Sequence, residues 1–587
     1  MDDALQLTDS LDRTRGPMLA AAIGDAVGWP IENRSGRVGG ISKVKPRLQL
    51  VGWTRREGGS YAPHEVEVEA GSYSDDTQLT LAAGRSRLRG SAWWKHWTDC
   101  ELPLWLVYER GGGGATKRAA QAWNRGQAPW SGEQKEADRN RYFGAGGNGV
   151  AMRIMPHVLL DGDDEFNPVA SHILADGVCT HGHPRALVGA LAYGYALWLA
   201  LRQEGPLGFG DLVAQTLAGE DQWGSIPELL PQLSDWRQQI GSGQAQFEKA
   251  WDRTRKEMHD LLTLCRDSLG QGSLAVDRKA LEAIGAFDKR TNGAGTIAAA
   301  ASVYLASRYA SQPGQGLTAA AFAKGADTDT IAAMTGGLLG AIDNDAWLSR
   351  LSTGLQDVEY IEEVAAALAH DRFQERPRGR TWRQPDRREL LEALGDDNRA
   401  KVELPVFGAC TVARKHELST KSSNLIREWT LLTEEGQTLF IKRIVPTKSK
   451  RSTTNGHAAA KPPFWLVLRV RDLRASESFY CDVFGFNKRK GETPERTYLS
   501  DRIALELTAK PGPRPTEATD EKALLSRHDT ITLFRNEREL KELHQRLVAR
   551  EGPVSGIFDR GSFRAFRCTD PDGTVIEVRA ASTPSPD

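Results

Sequence analysis

Small and apolar residues fill nearly every position in two stretches of the N-terminal half, residues 16–31 and residues 186–201. An amphipathic helix would keep one face polar, so these stretches predict helices that are buried on all sides. Residues 280–308 are also rich in alanine, glycine and serine, which lets helices approach one another closely. Together the three stretches predict one large all-α domain that covers residues 1–371.

The pattern changes beyond this predicted domain. Residues 372–401 are charged and interrupted by proline and glycine, which predicts a charged linker or a peripheral helix. Residues 402–446 alternate polar and apolar side chains around a turn at Glu435 and Gly436, a pattern typical of a small β-rich segment. Residues 447–463 are basic and of low complexity, and they predict a flexible linker.

A strand, a helix and further strands follow one another twice between residues 464 and 580. This repetition predicts an α+β domain of paired βαβββ units, related by internal duplication. A chain of 587 residues is too long for a single core in any case. The predicted fold class is therefore multidomain: a large all-α domain, a small β-rich middle segment, and this C-terminal α+β domain.

Composition and charge narrow the function classes. The net charge is −1, which does not indicate binding to nucleic acid. The six cysteines are scattered along the chain, so they indicate neither a zinc ribbon nor a disulfide framework. The first residues are acidic and polar, unlike a signal peptide, and residues 186–201 are short for a membrane span. We therefore expect a protein of the reducing cytoplasm with no membrane partner.

Two acidic clusters carry the clearest candidate chemistry. Asp327, Asp329 and Thr330 stand where a helix of small residues begins, and their hard oxygens suit Mg²⁺ or Mn²⁺. The alternative is helix capping, because aspartate and threonine also stabilise a helix N-terminus. A second cluster stands far upstream and also precedes an apolar run: Ser74, Asp75 and Asp76. Two such clusters favour one shared metal site.

A glycine-rich loop and two histidines add candidate substrate contacts. Residues 144–149 feed the next predicted helix, and exposed backbone amides in such a loop can converge on a phosphate. The alternative is an ordinary glycine-rich turn before a helix. His181 and His183 precede a proline, without the further histidines or cysteines that a zinc site needs. Capping or packing is one interpretation of this pair, and a substrate contact by one of them is favoured over zinc.

Five motifs follow one another along residues 14–345: GDAVGWPIE, SYSDDTQLT, GGNGVAMRIMP, THGHP and GADTDTIAAMTGGLLGA. In this order they resemble the ADP-ribosylglycohydrolase family, of the dinitrogenase-reductase-activating glycohydrolase type. The resemblance implies an all-α fold that holds two Mg²⁺ or Mn²⁺ ions. It also implies a hydrolase, one that cleaves the glycosidic bond between ADP-ribose and a modified protein side chain or another acceptor.

The functional residues of that family carry over to this sequence by motif. The implied metal ligands are Ser74, Asp75, Asp76, Asp327, Asp329 and Thr330. The implied catalytic residues are Glu32, Asp75 and Asp329. The implied diphosphate and substrate contacts are Gly144, Gly146, Gly147, Asn148 and His181. Three positions depart from the usual pattern: Ser74 in place of threonine, Ala326 in place of glycine, and Ala145 in place of a hydroxyl residue.

The same resemblance implies the partners. The expected substrate is an ADP-ribosylated protein or another ADP-ribosylated molecule, and the expected product is ADP-ribose. Arginine, serine, a nucleobase and a small molecule are all open as acceptors, so nucleic acid enters only as a modified substrate. Residues 33–71 predict a long surface excursion, and we expect the residues that select the acceptor to lie there and in the tryptophan-rich segments. The alternative from another class is a non-catalytic sensor that binds ADP-ribose or a related nucleotide.

The C-terminal region resembles the vicinal-oxygen-chelate superfamily of glyoxalases and bleomycin-resistance proteins, through the motifs RVRDLRASESFYCDVFGF and DPDGTVIEV. Members usually bind one metal through a residue on each of four strands. Glu506 and Glu577 match two of these positions, but Trp465 stands at the first. The third falls near His528 or Asp529. Trp465 favours a metal-free binding or dimerisation module over a metal-dependent lyase or dioxygenase.

Overall fold

The computed structural model describes most of the chain. The described residues are 2–32, 46–58, 63–161, 165–241, 244–272, 275–370, 381–395, 401–420, 424–446, 465–470, 472–484, 486–493, 496–500, 504–509, 530–534, 537–550, 553–559, 563–571 and 574–581. The chain separates into two compact units, Met1–Ser449 and Lys450–Asp587. The prediction of a multidomain protein is confirmed.

Helices dominate the first unit. Its N-terminal half contains α1 (Asp2–Glu32), α2 (Asp75–Arg87), α3 (Trp93–His96), α4 (Leu102–Tyr108), α5 (Gly114–Asn124), α6 (Glu136–Phe143), α7 (Met155–Leu160), α8 (Phe166–Val178) and α9 (Pro184–Leu201). Further along lie α10 (Asp211–Ala218), α11 (Glu220–Trp223), α12 (Ser234–Gly241), α13 (Gln244–Leu269), α14 (Asp277–Ala283), α15 (Gly295–Arg308), α16 (Pro313–Ala321), α17 (Thr328–Asp343), α18 (Ser349–Ser352), α19 (Val358–Ala369) and α20 (Gln384–Ala393). They enclose one large apolar core.

The helices α1 and α17 pack against each other at very close range. A Cβ atom built at Gly24 would lie 2.2 Å from the carbonyl oxygen of Ala332, and one built at Gly28 would lie 2.2 Å from that of Thr328. Only a residue without a side chain lets two backbones approach this closely. The contacts run in opposite directions along the two helices. The C-terminal end of α1 therefore meets the N-terminal end of α17.

Two β elements belong to the first unit. A hairpin of β1 (Trp53–Glu57) and β2 (His64–Val68) lies within the stretch predicted as a surface excursion. An antiparallel sheet follows the helices, in the order β3 (Lys401–Leu404), β4 (Gly408–Ser419), β5 (Asn424–Thr433) and β6 (Thr438–Pro446). One face of this sheet buries Trp429 and Leu431 in the same core as the helices. The predicted β-rich segment thus packs as part of the helical unit.

A buried ion pair joins this sheet to α2. Arg85, in the last turn of α2, pairs with Glu101 at 2.8 Å and donates to the Oε1 atom of Gln437 at 2.7 Å. Burial alone would raise the pKa of Glu101, but the charge and hydrogen bonds of Arg85 outweigh it and hold that pKa at about 2. Because Gln437 lies in the turn between β5 and β6, the sheet helps to hold the helix that begins with Asp75.

Two remaining predictions concern linkers and membrane spans. Helix α20 lies within residues 372–401, so part of the predicted charged linker is helical. Residues 371–380 and 396–400 lie outside the described residues, as does the predicted flexible linker at 447–463. Among the described residues, α9 alone is long and apolar enough to cross a membrane, by length and composition only. Most of α9 is buried inside the protein, as core helices of globular proteins are.

The second unit contains two four-stranded sheets built to the same plan. The first has β7 (Trp465–Val470), α21 (Leu473–Ser478), β8 (Asn487–Thr493), β9 (Arg496–Ser500) and β10 (Ala504–Ala509). The second has β11 (Thr530–Phe534), α22 (Glu537–Val548), β12 (Phe558–Asp559), β13 (Phe563–Thr569) and β14 (Val575–Ala581). In each sheet the first strand pairs parallel with the last, and the other pairs are antiparallel. The predicted paired βαβββ units are confirmed.

Candidate active site

The two predicted acidic clusters meet where α1, α2 and α17 come together. Glu32 ends α1, Asp327 precedes α17 and Asp329 lies in its first turn. One carboxylate oxygen from each of these three residues lies within 4.8 Å of the other two. Asp76 lies in the first turn of α2, and burial and the charge of Asp327 raise the pKa of its carboxyl group. The same carboxyl group accepts a hydrogen bond from the Thr330 side chain. The antiparallel packing of α1 on α17 is what brings Glu32 to this place.

A fully buried aspartate, which the sequence-based prediction did not include, supports the first cluster. Asp25 on α1 accepts hydrogen bonds from the amides of Ser74 (3.0 Å) and Thr77 (3.1 Å), and from the Thr77 hydroxyl (2.6 Å). These are amides at the start of α2 that have no partner within the helix. The signal in the sequence was a lone acid inside the otherwise apolar residues 16–31.

Capping explains one cluster only in part. Ser74 is the N-cap of α2, and its hydroxyl accepts from the amide of Asp76 at 3.2 Å. Asp327 occupies the N-cap position of α17, but its side chain makes no capping hydrogen bond. Its Oδ2 atom accepts instead from the side-chain amide of Asn148 at 3.0 Å. The capping alternative raised for the cluster at Asp327 is therefore wrong for Asp327, whereas Ser74 in the upstream cluster does cap its helix.

Burial and mutual repulsion disfavour ionisation of the clustered carboxylates. Burial raises the pKa of Asp76 well above its usual range, and the neighbouring charges of Asp25 and Asp75 raise it further. Burial likewise raises the pKa of Asp329, with the charge of Glu32 acting in the same direction. The pKa of Asp75 is raised in the same way. Carboxylates this close together keep their charges only when positive charge stands among them.

The donor atoms fit a hard divalent cation. The Oδ1 atom of Asp76 is buried and has no hydrogen-bond partner within the described ranges, so it is available to a ligand. Carboxylate and hydroxyl oxygens are the donors that Mg²⁺ and Mn²⁺ prefer. The group that offers such oxygens here consists of Glu32, Ser74, Asp75, Asp76, Asp327, Asp329 and Thr330.

The predicted glycine-rich loop is anchored on both sides. The amide of Asn148 donates to the carbonyl oxygen of Gly293 at 2.9 Å, and the amide of Gly295 donates to that of Gly146 at 3.1 Å. On the other side, the buried guanidinium of Arg153 donates to the carbonyl oxygen of Gly149 at 2.5 Å. The loop therefore has a defined shape, with its Asn148 side chain directed at the acidic cluster.

His181 lies against this loop as a neutral imidazole. Its Nδ1 atom is 2.7 Å from the hydroxyl oxygen of Thr180, and a Cβ atom built at Gly149 would lie 3.2 Å from its ring. Burial lowers the pKa of His181 to about 3, and the charge of Arg153 acts in the same direction. His183 has another task, because its Nδ1 atom caps the N-terminus of α9.

In the second unit, a glutamate predicted as a metal-ligand match is held by two arginines. Glu577 on β14 has a side chain only 2% exposed, accepts from Arg567 at 2.7 Å and pairs with Arg579. Burial would raise its pKa, but the hydrogen bonds and charges of the two arginines outweigh burial and hold the pKa below its usual range. A carboxylate neutralised in this way is a poor metal ligand.

The other predicted positions of that site are only partly described. Trp465 lies on β7 and Glu506 on the adjacent β10, where it is opposite Val467. The side chains of Trp465 and Glu506 lie outside the described part of the structure, as do His528 and Asp529 altogether. Their roles stay predictions.

A family model described as ADP-ribosylglycohydrolase matches residues 6–378, more than half of the chain. The chain belongs to the ADP-ribosylglycohydrolase family. Hydrolysis of ADP-ribose linkages is the activity that this family name denotes, and it is consistent with the acidic cluster. A second model, for the Glyoxalase/Bleomycin resistance protein/Dioxygenase superfamily, matches residues 463–578. Both resemblances seen in the sequence are confirmed.

Solved structures similar to this chain include an ADP-ribosylglycohydrolase-related protein complex, at 20% identity and a TM-score of 0.40, covering 62% of this chain and 99% of that one. A lactoylglutathione lyase from Agrobacterium tumefaciens is 22% identical with a TM-score of 0.16, over 21% of this chain and 96% of that one. A glyoxalase/dioxygenase from Nostoc punctiforme is 16% identical with a TM-score of 0.18, and the match covers 22% of this chain and 100% of that one. No curated protein matches the sequence.

Proposed function

We propose that this chain is a metal-dependent hydrolase that cleaves the glycosidic bond between ADP-ribose and a modified protein side chain or another acceptor. The observation that carries the proposal is the convergence of Glu32, Asp327 and Asp329, whose carboxylate oxygens lie within 4.8 Å of one another. Asp75 and Asp76 join them from α2. In a family of ADP-ribosyl hydrolases, so dense an acidic group supports a cation site that serves the reaction.

Two Mg²⁺ or Mn²⁺ ions are the proposed cofactor, held by the hydroxyl and carboxylate oxygens of the two clusters. Bound there, such ions supply Lewis-acid chemistry and lower the pKa of a coordinated water. Glu32 is half-buried at the end of α1, where it can accept a proton from the attacking water. Asp75 and Asp329 can stabilise the positive charge that develops at the anomeric carbon when the bond to the acceptor breaks.

The glycine-rich loop would orient the substrate through its diphosphate. The amides of Gly144 and Asn148 donate to carbonyl groups of the protein itself. The amides that would donate hydrogen bonds to the diphosphate are therefore those of Gly146 and Gly147. The neutral imidazole of His181 offers a further hydrogen bond without adding charge. Holding the diphosphate fixes the distal ribose relative to the carboxylates, which reduces the entropic part of the barrier.

Release of ADP-ribose from ADP-ribosylated arginine, serine and nucleic acid, with Mg²⁺ or Mn²⁺ present, tests this proposal. The wild-type chain should act on at least one of these substrates, and Asp327→Asn/Asp329→Asn should be slower by at least about 100-fold. The surface variant Asp235→Asn is the matched control and should retain the wild-type rate. Equal rates for all three proteins would contradict the metal site, and tight ADP-ribose binding without turnover would favour the non-catalytic sensor.

For the C-terminal unit we propose a binding or dimerisation module that works without a metal. The two arginines on Glu577 support this, because they already satisfy the carboxylate that a metal would need. Sedimentation velocity of the full-length chain tests the dimerisation part, with a dimer as the expected species.

A further inference from the structure

The first unit contains a second recess, which we call the sheet–hairpin groove. Its floor is the face of the β4–β6 sheet opposite the core, and its walls are formed by β2 and residues 353–356. It encloses about 820 Å³, within the range of sites that take a ligand of several residues or a small molecule. Its lining includes Glu67, Ser72, Arg110, Gln356, Thr430 and Phe440.

A buried arginine reaches this groove with an unused donor. Arg110 is 5% exposed, and its guanidinium lies 4.0 Å from the ring of Phe440 and 5.3 Å from that of Trp29. Its Nη1 atom has no hydrogen-bond partner among the residues that the structure describes. Burial lowers the pKa of Arg110 to about 10, which leaves the side chain cationic at neutral pH. A buried donor in this state is costly unless a ligand pairs with it.

The same groove also holds an unused acceptor. The Oε1 atom of Gln356 is buried and lacks a hydrogen-bond partner within the described residues, while its Nε2 atom donates to Asp357 at 3.1 Å. Among the described residues, the groove thus offers Arg110 Nη1 as a buried donor and Gln356 Oε1 as a buried acceptor, each without a hydrogen-bond partner. A peptide group offers both a carbonyl oxygen and an N–H, whereas a phosphodiester offers acceptors alone. This combination favours a polypeptide.

The charge of the lining points the same way. Four glutamates and two arginines line the groove. Three of the glutamates are paired: Glu69 with Arg414 at 2.8 Å, Glu65 with Arg56 at 3.3 Å and Glu428 with Lys442 at 3.1 Å. Glu67, at an exposed position of β2, forms no ion pair with the described residues. A carboxylate in this position repels the phosphates of a nucleic acid and attracts lysine and arginine side chains.

Two residues of the groove lining are close in the chain to residues at the acidic cluster. Ser72 lines the groove and stands two residues before Ser74. Gly111 follows Arg110, and a Cβ atom built at Gly111 would lie 3.0 Å from a carboxylate oxygen of Asp75. The chain segment that contains Arg110 thus reaches from the groove to Asp75.

We propose that the sheet–hairpin groove binds a basic polypeptide segment of the acceptor, next to the side chain that carries ADP-ribose. The inference rests on the proposed hydrolase function and assigns its acceptor class: a protein with lysine or arginine near the modified residue. The hairpin and the sheet, two elements outside the helical frame, are then the parts that select the substrate.

Direct binding tests the groove without any turnover. The probe is a short fluorescein-labelled peptide of glycine and lysine, followed by fluorescence anisotropy with the full-length chain. Glu67→Lys and Thr430→Trp, one reversing a wall charge and one filling the floor, should each weaken binding about tenfold. Glu204→Lys, an exposed glutamate in a loop far along the chain, should bind like wild type. Equal affinity of all four proteins, or tighter binding of a single-stranded DNA oligonucleotide than of the peptide, would overturn the proposal.

Turnover supplies the second arm of the test. The same modified residue is placed in a lysine-flanked and in a glutamate-flanked ADP-ribosylated peptide, and the ratio of the two kcat/KM values is measured. The wild-type ratio should favour the lysine-flanked peptide by about tenfold, and Glu67→Lys should bring it close to one. Equal ratios in both proteins contradict acceptor docking. If ADP-ribose release fails on every peptide while peptide binding persists, the hydrolase proposal fails and the groove stands as a peptide site.

Discussion

The side-chain amide of Asn148 donates a hydrogen bond of 3.0 Å to a carboxylate oxygen of Asp327. This bond connects the glycine-rich loop, proposed to hold the diphosphate, to the acidic cluster proposed to hold the cations. The backbone of Gly293, to which the loop is also bound, lies beside the same carboxylate. The two parts of the proposed site are therefore in direct contact, and we expect a substitution in the loop to alter the position of the Asp327 carboxylate.

Asn148→Ala should weaken both cation binding and turnover. Without the amide, the Asp327 carboxylate loses the group that orients it, and changes to such supporting contacts typically cost about 10-fold to 100-fold in affinity or activity. Titration of Mn²⁺ followed by electron paramagnetic resonance gives the affinity, and ADP-ribose release gives the rate. Asn167→Ala, at an exposed position of α8, is the control. Unchanged Mn²⁺ affinity would show that the bond does not support the cluster.

Asp25→Ala should destabilise the first unit and not merely slow the reaction. Removal of the carboxylate leaves the amides of Ser74 and Thr77 and the Thr77 hydroxyl without an acceptor in a buried place. We expect the free energy of unfolding to fall by about 3 kcal/mol. Asp25→Asn keeps one acceptor oxygen and should lose less. Urea denaturation followed by tryptophan fluorescence measures both, and equal midpoints for the three proteins would contradict this role.

Gly28→Ala should separate α1 from α17. The added methyl group would lie 2.2 Å from the carbonyl oxygen of Thr328, so the helices must move apart, at a cost of roughly 1 to 3 kcal/mol in unfolding free energy. The same movement withdraws Glu32 from Asp329, so ADP-ribose release should fall as well. Gly241→Ala is the matched control, because nothing lies within 4 Å of its added methyl group. Wild-type activity in Gly28→Ala would refute the close-packing argument.

Buried histidines should make the first unit less stable in mild acid. Burial lowers the pKa of His157 to about 4, although its Nε2 atom lies 3.0 Å from Asp176. An unfolded chain protonates this histidine below about pH 6.5, so the unfolded state binds more protons between pH 6.5 and 4, and stability falls as pH falls through that window. The loss reaches at most about 3 kcal/mol for this residue.

The substitution His157→Gln should flatten that dependence. The unfolding free energy, measured by urea denaturation at several values of pH between 4 and 6.5, should vary less steeply in the variant than in wild type. Some dependence should persist, since burial also lowers the pKa of His181, to about 3. His370→Gln, at the end of α19, serves as the control. Parallel curves for wild type and His157→Gln would exclude this histidine as the source.

Metal analysis should show that bound metal depends on the first unit and not on Glu577 of the second unit. Elemental analysis of the full-length chain after equilibration with Mn²⁺ should show the same metal content in wild type and Glu577→Gln, because Arg567 and Arg579 already neutralise that carboxylate. Asp329→Asn should lose most of the bound metal. A clear loss of metal in Glu577→Gln would contradict a metal-free C-terminal unit.

Much of the frame could be predicted from residue patterns because the responsible forces are local or compositional. Uniformly apolar stretches predicted buried helices, and alternating patterns predicted the strands of both β regions. The residues of the acidic clusters were recognisable because they lie in motifs whose order along the chain resembles that of the family. The hairpin formed by β1 and β2 was not predicted, although residues 64–68 alternate polar and buried positions, because that alternation is confined to five residues of a longer irregular stretch.

The sequence by itself determined which oxygens are available, and the tertiary structure decided which of them meet. The approach of α1 to α17 at Gly24 and Gly28 places Glu32 beside Asp329. The hydrogen bond from Asn148 to Asp327 and the hydrogen bond from the Ser74 amide to Asp25 are likewise tertiary contacts. These contacts join residues far apart in the chain, and no local pattern specifies them. They follow from how close-packed helices orient their ends, which only the folded structure settles.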